Sequence, residues 1–174
     1  MKLRKINTLI AIAFSAAIAL TGCSKDDGAI PKRIKIEDVP AVTMLTKTGT
    51  TTGTITFSNQ AAFLGEFGAS MWFPTQVPPA KIDIVVRKNG SVNNVKLFKA
   101  GIATLPATFT VTAAEIATLF GAPLALNDTY DFAPNLYVGT SLYEAFPAVG
   151  SGVGQSIPSM GNLGFGEYVR YSVK

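Results

Sequence analysis

From residue 41 onward, hydrophobic and polar positions alternate over short stretches of the chain, which is the period of half-buried β-strands. Residues 81–87 give the clearest case, with β-branched side chains on one face and charged ones on the other: Ile82, Ile84 and Val86 against Lys81, Asp83 and Arg87. The same alternation predicts strands over residues 54–57 and 169–173, and residues 92–98, 107–111, 129–138 and 142–146 are predicted to form further strands. The pattern therefore predicts a domain that is mostly β.

Turn residues separate these predicted strands. Asn89 and Gly90 both accept positive φ, so they predict a tight hairpin turn into the strand at 92–98. Pro134 has no backbone N–H to donate, so it must lie at a bulge or on a sheet edge. The threonine-rich residues 46–56 are predicted to form a turn between edge strands, and residues 148–166 a long surface loop. Ile34 and Ile36 are compatible with a short first strand.

One short helix interrupts the strands. Thr112 and Glu115 have the spacing of a capping box, and Val111 and Ile116 have that of a hydrophobic staple. Gly121 follows as the predicted left-handed C-terminal cap. Short strands, turn-rich connections and a single helix predict an antiparallel immunoglobulin-like β-sandwich with one short helix, formed by residues 41–174 as one domain.

The first 22 residues have the three parts of a secretory signal peptide. Lys2, Arg4 and Lys5 are positive, residues 9–20 are apolar but too few to span a bilayer, and residues 21–22 are small. The sequence LTGC, which ends at Cys23, resembles the lipobox of bacterial lipoproteins. That resemblance implies that the Cys23 thiol takes a diacylglycerol, becomes the first residue of the mature chain and anchors it to a membrane.

Residues 23–40 are predicted to form a polar tether between the lipid anchor and the domain. Lys25, Asp26 and Asp27 resemble the export signal of Bacteroidetes surface lipoproteins, in which a lysine and two acids closely follow the lipidated cysteine. The resemblance implies an outer-membrane protein that faces the cell exterior. The other interpretation is that these charges only keep the tether solvated.

Two segments of the domain resemble the first domain of the SusE-like lipoproteins of Bacteroidetes. Residues 108–116 read TFTVTAAEI and residues 127–132 read NDTYDF. In that domain a strand likewise runs into a short helix and then into a strand with a polar and aromatic start. The resemblance covers residues 82–146 and implies an immunoglobulin-like fold and an accessory role at the outer membrane.

Most of the net charge of +4 comes from the predicted signal peptide. Loss of its three positive residues leaves twelve of the fifteen Lys and Arg, against eleven Asp and Glu. The mature chain is therefore almost neutral, and its composition gives no reason to expect a nucleic-acid partner.

The residues available for catalysis are few. The chain has no histidine, and its only cysteine is the lipidation site, so neither a Ser-His-Asp triad nor a thiol nucleophile is available. Asp128 and Asp131 point to opposite faces if they lie on a strand, which is unsuitable for a catalytic pair. With Asn127 they offer oxygen ligands for Ca²⁺, but a turn leading into a strand is the favoured interpretation. We therefore expect no enzyme activity, metal or cofactor.

Trp72 and Phe73 form the most distinctive aromatic pair, followed closely by Gln76. Flat rings stack on sugars and an amide can bond hydroxyl groups, so these three residues are candidate ligand-binding residues. The favoured interpretation is that Trp72 fills the sandwich core, and a protein interface is a third. We predict Trp72 inward and Phe73 outward if both lie on a strand, or both in a loop before Pro74.

Together these features predict a surface lipoprotein acting as an accessory or glycan-binding module in polysaccharide uptake. Its predicted partners are the membrane, a polysaccharide and an outer-membrane transporter complex. The alternative is a structural or adhesive surface module that docks onto another protein.

Overall fold

The computed structural model describes residues 39–149 and 163–174. The predictions for the signal peptide, Cys23, the tether with its export signal and Ile34–Ile36 strand, and most of the 148–166 loop lie outside those residues. The described strands are β1 (Val42–Thr46), β2 (Thr52–Ile55), β3 (Leu64–Met71), β4 (Lys81–Lys88), β5 (Val95–Ile102), β6 (Ala107–Thr112), β7 (Thr129–Val138), β8 (Ser141–Tyr143) and β9 (Val169–Val173). A 3-10 helix spans Phe57–Ala62, and the helix α1 spans Ala113–Phe120.

The strands form two sheets. One has the order β1-β3-β6, and the other has the order β2-β9-β7-β4-β5 with β8 also paired to β7. All pairs are antiparallel except β2 and β9, which run parallel. β3 pairs with β6 in the first sheet, and β4, β7 and β9 are neighbours in the second. These are the pairings of strand B with E, and of strands C, F and G, in an immunoglobulin-like sandwich. The predicted fold class is confirmed.

Aromatic rings join the two sheets at the centre of the core. Phe67 on β3 and Phe132 on β7 are both buried, with ring centroids 5.0 Å apart. Phe132 lies two residues after Tyr130. In antibody domains, the second cysteine of the inter-sheet disulfide likewise lies two residues after a conserved tyrosine. Phe98 and Tyr171 pack on the same ring of Phe132, at 5.3 and 6.0 Å. Apolar packing therefore occupies the position of the disulfide, and full burial of each ring contributes roughly 1.5–3 kcal/mol.

The predicted helix is confirmed with both caps. The Thr112 hydroxyl accepts from the Glu115 N–H at 3.2 Å, and the Glu115 carboxylate accepts from the Thr112 N–H at 2.8 Å. Gly121 ends the helix in the left-handed conformation with φ of 67°. Ile116 is buried against the core, so the helix closes one end of the sandwich.

The positive φ predicted for Asn89 and Gly90 is confirmed, but the tight hairpin turn predicted from them was wrong. The predicted start of the next strand was wrong, because β5 begins at Val95 rather than at residue 92. The Asn94 N–H donates to the Ser91 carbonyl in a second turn before pairing begins. The connection is therefore six residues long.

Two other predicted strands end early. β2 ends at Ile55 because Phe57 begins the 3-10 helix, and β8 ends at Tyr143 rather than at residue 146. The Ala145 N–H donates to the side-chain oxygen of Asn135 at 2.8 Å, so a side chain replaces the sheet partner there.

Pro134 lies on β7 at a point where that strand has a pairing partner on one side only. It pairs with Ile84 of β4 on one side. On the other side β9 pairs only with residues 129–132 and β8 only with residues 136–138. Pro134 therefore lies in the gap between two partners, as its missing N–H requires.

The strand directions define two ends of the sandwich. The Val39 end is where the described chain begins, and it contains the connections 72–80, 103–106, 139–140 and 163–166. The helix end contains the 3-10 helix, the connection 89–94 and residues 113–128. Within the described ranges, no helix is long and apolar enough to cross a membrane.

Candidate functional site

Trp72 and Phe73 lie in the connection that follows β3, which confirms the loop alternative of the two predicted arrangements. Trp72 is half-buried and packs edge-to-face on Phe165, with ring centroids 5.7 Å apart. It does not belong to the buried cluster between the sheets, so the favoured interpretation as a core residue was wrong. Phe73 is 47% exposed. The cause is the end of β3 at Met71, after which the chain turns away from the core.

Gln76 has a structural contact at the same end of the sandwich. The side-chain oxygen of Gln76 accepts from the Ala41 N–H at 3.2 Å. The backbone N–H of Gln76 donates to the Phe73 carbonyl at 3.0 Å. The amide oxygen therefore holds the first residues of the domain against the 72–80 connection. The ligand-binding role predicted for Trp72, Phe73 and Gln76 stays a prediction.

The Asp128 carboxylate is surrounded by donors from the protein itself. Lys88 lies at 2.8 Å, and the Ala125 N–H, the Asn89 side-chain amide and the Tyr130 hydroxyl donate at 2.9, 2.9 and 3.1 Å. Burial alone would raise the pKa of Asp128, but these donors together lower it to about 2. The same contacts fix the turn before β7, which agrees with the favoured interpretation of Asp128 as a turn residue.

Asp131 is completely buried on the opposite face of β7. Its two oxygens pair with Arg87 at 2.9 Å and with Arg170 at 2.6 Å. Arg87 stacks on the ring of Phe146 at 4.0 Å, and Arg170 lies 5.3 Å from the ring of Tyr168. In residues 39–149 and 163–174, no three His, Cys, Asp or Glu side chains come together in a way that could hold a metal ion.

A cleft of about 490 Å³ opens where the edges of the two sheets meet, and it forms the strongest candidate site. We call it the threonine cleft because five threonines line it: Thr46, Thr48, Thr52, Thr54 and Thr56. β1 ends in one sheet, and β2 continues in the other after the 47–51 turn. That crossing leaves the sheet edges apart and turns the threonine side chains toward the gap.

The floor of the threonine cleft is aromatic. The ring of Tyr171 passes between Gly53 and Gly65, where an added Cβ would lie 2.5 and 2.9 Å from its ring carbons. Phe63 packs edge-to-face on the same ring at 5.2 Å. Tyr171 donates its hydroxyl to the Glu66 carbonyl at 3.2 Å, and burial, with the Glu66 charge, raises its pKa to about 12. The tyrosine is therefore a neutral, fixed ring throughout the physiological range. Because it is only 4% exposed, the half-buried Phe63 supplies the aromatic surface that is open to a ligand.

Hydrogen bonds between hydroxyls fix one wall of the cleft. The Thr46 and Thr50 hydroxyls lie 2.8 Å apart, and those of Thr46 and Thr48 lie 3.0 Å apart. The Thr50 N–H also donates to the Thr46 hydroxyl at 3.2 Å. The Thr50 hydroxyl donates to the Thr52 carbonyl at 2.9 Å, so Thr46 donates to Thr50 and accepts from Thr48 and from the Thr50 N–H. Thr46 is therefore saturated, whereas Thr48 keeps lone pairs that can accept from a ligand. The wall is thus a preorganised row of polar groups.

One exposed ion pair borders the cleft. Lys47 and Glu66 approach to 2.7 Å, and both also line a second concavity of about 570 Å³ on the outer face of the β1-β3-β6 sheet. Gly68 and Ser70 contribute to that second concavity. Because the two charges pair with each other, this border carries no net charge.

The chemistry of the threonine cleft suits binding better than catalysis. Glu66 is the one carboxylate among its lining residues, so an acid and base pair is not present there. The lining offers hydroxyls, the amide of Asn59 and aromatic surface from Phe63. Such groups can hydrogen-bond and stack against a neutral ligand that carries many hydroxyls.

Sequence reasoning did not identify this cleft. The sequence features that could have indicated it are the density of threonine in residues 46–56 and the glycines at 53 and 65. Thr54, Phe63 and Tyr171 are far apart in the chain, and only the crossing from β1 to β2 brings them together. No family model, curated protein or solved structure matches this chain.

Proposed function

We propose that this protein is a lipid-anchored outer-membrane module that binds a neutral glycan in the threonine cleft as an accessory to polysaccharide uptake. The observation that carries the proposal is the combination of a hydroxyl-lined wall and an aromatic floor in one cleft. A sugar offers the complementary surfaces, since its hydroxyls exchange hydrogen bonds and its C–H face packs on a ring.

The size and charge of the cleft support this ligand class. Its volume of about 490 Å³ lies within the roughly 300–1,000 Å³ typical of small-molecule sites. The paired charges of Lys47 and Glu66 leave no net charge at its border. A phosphorylated or strongly acidic ligand would lack a cationic partner there.

The lipid anchor is supported by the sequence at residues 20–23 and by the charged residues that follow. Two or more acyl chains on Cys23 would hold the domain at the membrane durably. We expect Cys23→Ala to release the protein from the membrane fraction. A variant that still carries labelled lipid would contradict the anchor.

A glycan array probed with residues 24–174 tests the binding proposal. The matched variants are Thr54→Tyr, which places a ring in the cleft, and Thr140→Tyr, which adds the same ring at an exposed threonine of the Val39 end. We expect Thr54→Tyr to weaken binding at least about tenfold, or about 1.4 kcal/mol, and Thr140→Tyr to leave it unchanged. Equal binding by both variants would rule out the cleft.

A further inference from the structure

We propose that the Val39 end of the sandwich rests on the lipid surface, with Phe73, Val77 and Leu163 in the headgroup region. This inference rests on the lipid anchor of the proposed function. It adds an orientation for the domain, because an anchored protein on a tether can otherwise face the membrane with any of its sides.

Large apolar side chains are exposed at this end. Phe73 is 47%, Val77 84% and Leu163 72% exposed. Phe73 and Val77 share one connection, and the contact between Trp72 and Phe165 joins that connection to the segment that carries Leu163. Three apolar residues thus project from two connections that pack on each other, which is the arrangement of an interaction surface.

Four segments at this end are uncharged, with Lys81 and Glu167 directly after two of them. Residues 72–80, 103–106, 139–140 and 163–166 contain no Asp, Glu, Lys or Arg. A charge moved from water into a lipid interface loses hydration, so a surface that enters lipid has to exclude charges. The helix end also exposes Phe57, Leu64, Val92 and Leu126. Leu64 lines the threonine cleft, and the other three lie in three different connections among Asn, Ser, Gln and Asp residues.

The tether joins the domain at this same end. Fifteen residues separate Cys23 from Val39. A chain of that length reaches at most about 50 Å. Val39 is therefore the part of the described domain nearest to the anchor along the chain, and the apolar residues beside it can reach the lipid within that length.

This orientation directs the ligand site outward. The threonine cleft is lined by β2 and by the first residues of β3, which lie in the half of the sandwich nearer the helix end. With the Val39 end on the lipid, the cleft remains open to a polymer that approaches from outside.

Labelling the lipidated full-length protein tests the orientation, because the chain has no other cysteine once Cys23 is acylated. Val77→Cys and the helix-end control Val92→Cys each carry an environment-sensitive fluorophore. The protein is anchored in phosphatidylcholine and phosphatidylethanolamine vesicles, and acylation of Cys23 is checked by mass spectrometry. We expect a blue shift and quenching by nitroxide lipids at position 77 and neither effect at position 92.

The other outcomes separate the two proposals. A protein without lipid on Cys23 overturns both the anchor and the orientation. A lipidated protein whose label at position 77 remains in water overturns the orientation alone. A blue shift at position 77 in native envelopes but not in vesicles would assign this surface to a protein partner and also overturn it.

An unlabelled readout gives an independent check. Trp72 is the only tryptophan and lies at this end, so brominated lipids should quench its emission. Phe73→Ser combined with Val77→Ser should reduce that quenching at least twofold, and Phe57→Ser combined with Val92→Ser should not. Equal quenching in both double variants would contradict the proposed contact.

Discussion

The Val39 end and the helix end close the same sandwich with opposite chemistry. At the helix end, polar side chains satisfy one another: Asp128 has four partners, and Thr112 and Glu115 cap α1. At the Val39 end, residues 72–80, 103–106, 139–140 and 163–166 have no charges and expose three large apolar residues. Polar groups that form hydrogen bonds within the protein stabilise the fold. Apolar side chains exposed to water lower the free energy only when a ligand, lipid or partner removes them from water. The comparison therefore separates residues kept for folding from residues available for an interaction.

Removal of Asp128 is expected to have the largest effect on stability. Asp128→Ala leaves the Lys88 ammonium, the Ala125 N–H and the Tyr130 hydroxyl without their partner. Loss of one member of such a buried pair costs about 3 kcal/mol. Urea unfolding of Asp128→Ala should show this decrease in the free energy of unfolding, and a change below about 1 kcal/mol would contradict the structural role.

Acid should weaken the helix end before it affects the Val39 end. The pKa of Asp128 is lowered from 3.8 to about 2 in the folded protein, so its contribution is fully present above about pH 4 and is lost as the pH falls toward 2. The contribution amounts to about 2 kcal/mol. The loss of stability between pH 4 and pH 2 should therefore be smaller in Asp128→Asn than in the natural protein, and equal losses would contradict the assignment.

The floor of the threonine cleft should be sensitive to a single methyl group. In Gly53→Ala, the added Cβ would lie 2.5 Å from the Tyr171 ring, so the ring or the strand has to move. Overpacking of this kind costs roughly 1–3 kcal/mol. Calorimetric melting should show the decrease. In the double variant Gly53→Ala with Tyr171→Leu, the total loss of stability should be smaller than the sum of the two single losses. A total equal to that sum would argue against this contact.

The exposed residues of the Val39 end should contribute little to stability. Val77→Ser removes a side chain that is 84% exposed, so the free energy of unfolding should change by less than about 0.5 kcal/mol. Phe73 is 47% exposed, so Phe73→Ser should cost at most about 1 kcal/mol. Thermal unfolding of the two variants in detergent-free buffer measures this. A loss above about 1.5 kcal/mol would mean that these residues stabilise the fold and are not available for a membrane or a partner.

Local patterns predicted the parts of the fold that depend on neighbours in the sequence. The strand predicted over residues 129–138 has the observed bounds of β7, and Thr112, Glu115 and Gly121 predicted the helix with both caps. Strand ends were less predictable, because the partners that decide them are distant. Asn135 bonds Ala145 ten residues away, and that contact ends the pairing of β8.

The candidate site could not be predicted in the same way. Thr54, Phe63 and Tyr171 meet only because β2 pairs in parallel with β9 after crossing to the second sheet. No periodicity in a single segment encodes such a crossing. For Trp72, the sequence left two arrangements open, and the end of β3 at Met71 determined which one the chain adopts.

Amide NMR with the glycan that binds best on the array is the most direct test of the threonine cleft. The Gly53 and Gly65 amides report on its floor, and the single indole N–H of Trp72 reports on the Val39 end. On titration, we expect the two glycine signals to shift with one saturation curve and the indole signal to stay in place. Movement of the indole signal while both glycine signals remain fixed would contradict the cleft and locate the ligand at Trp72.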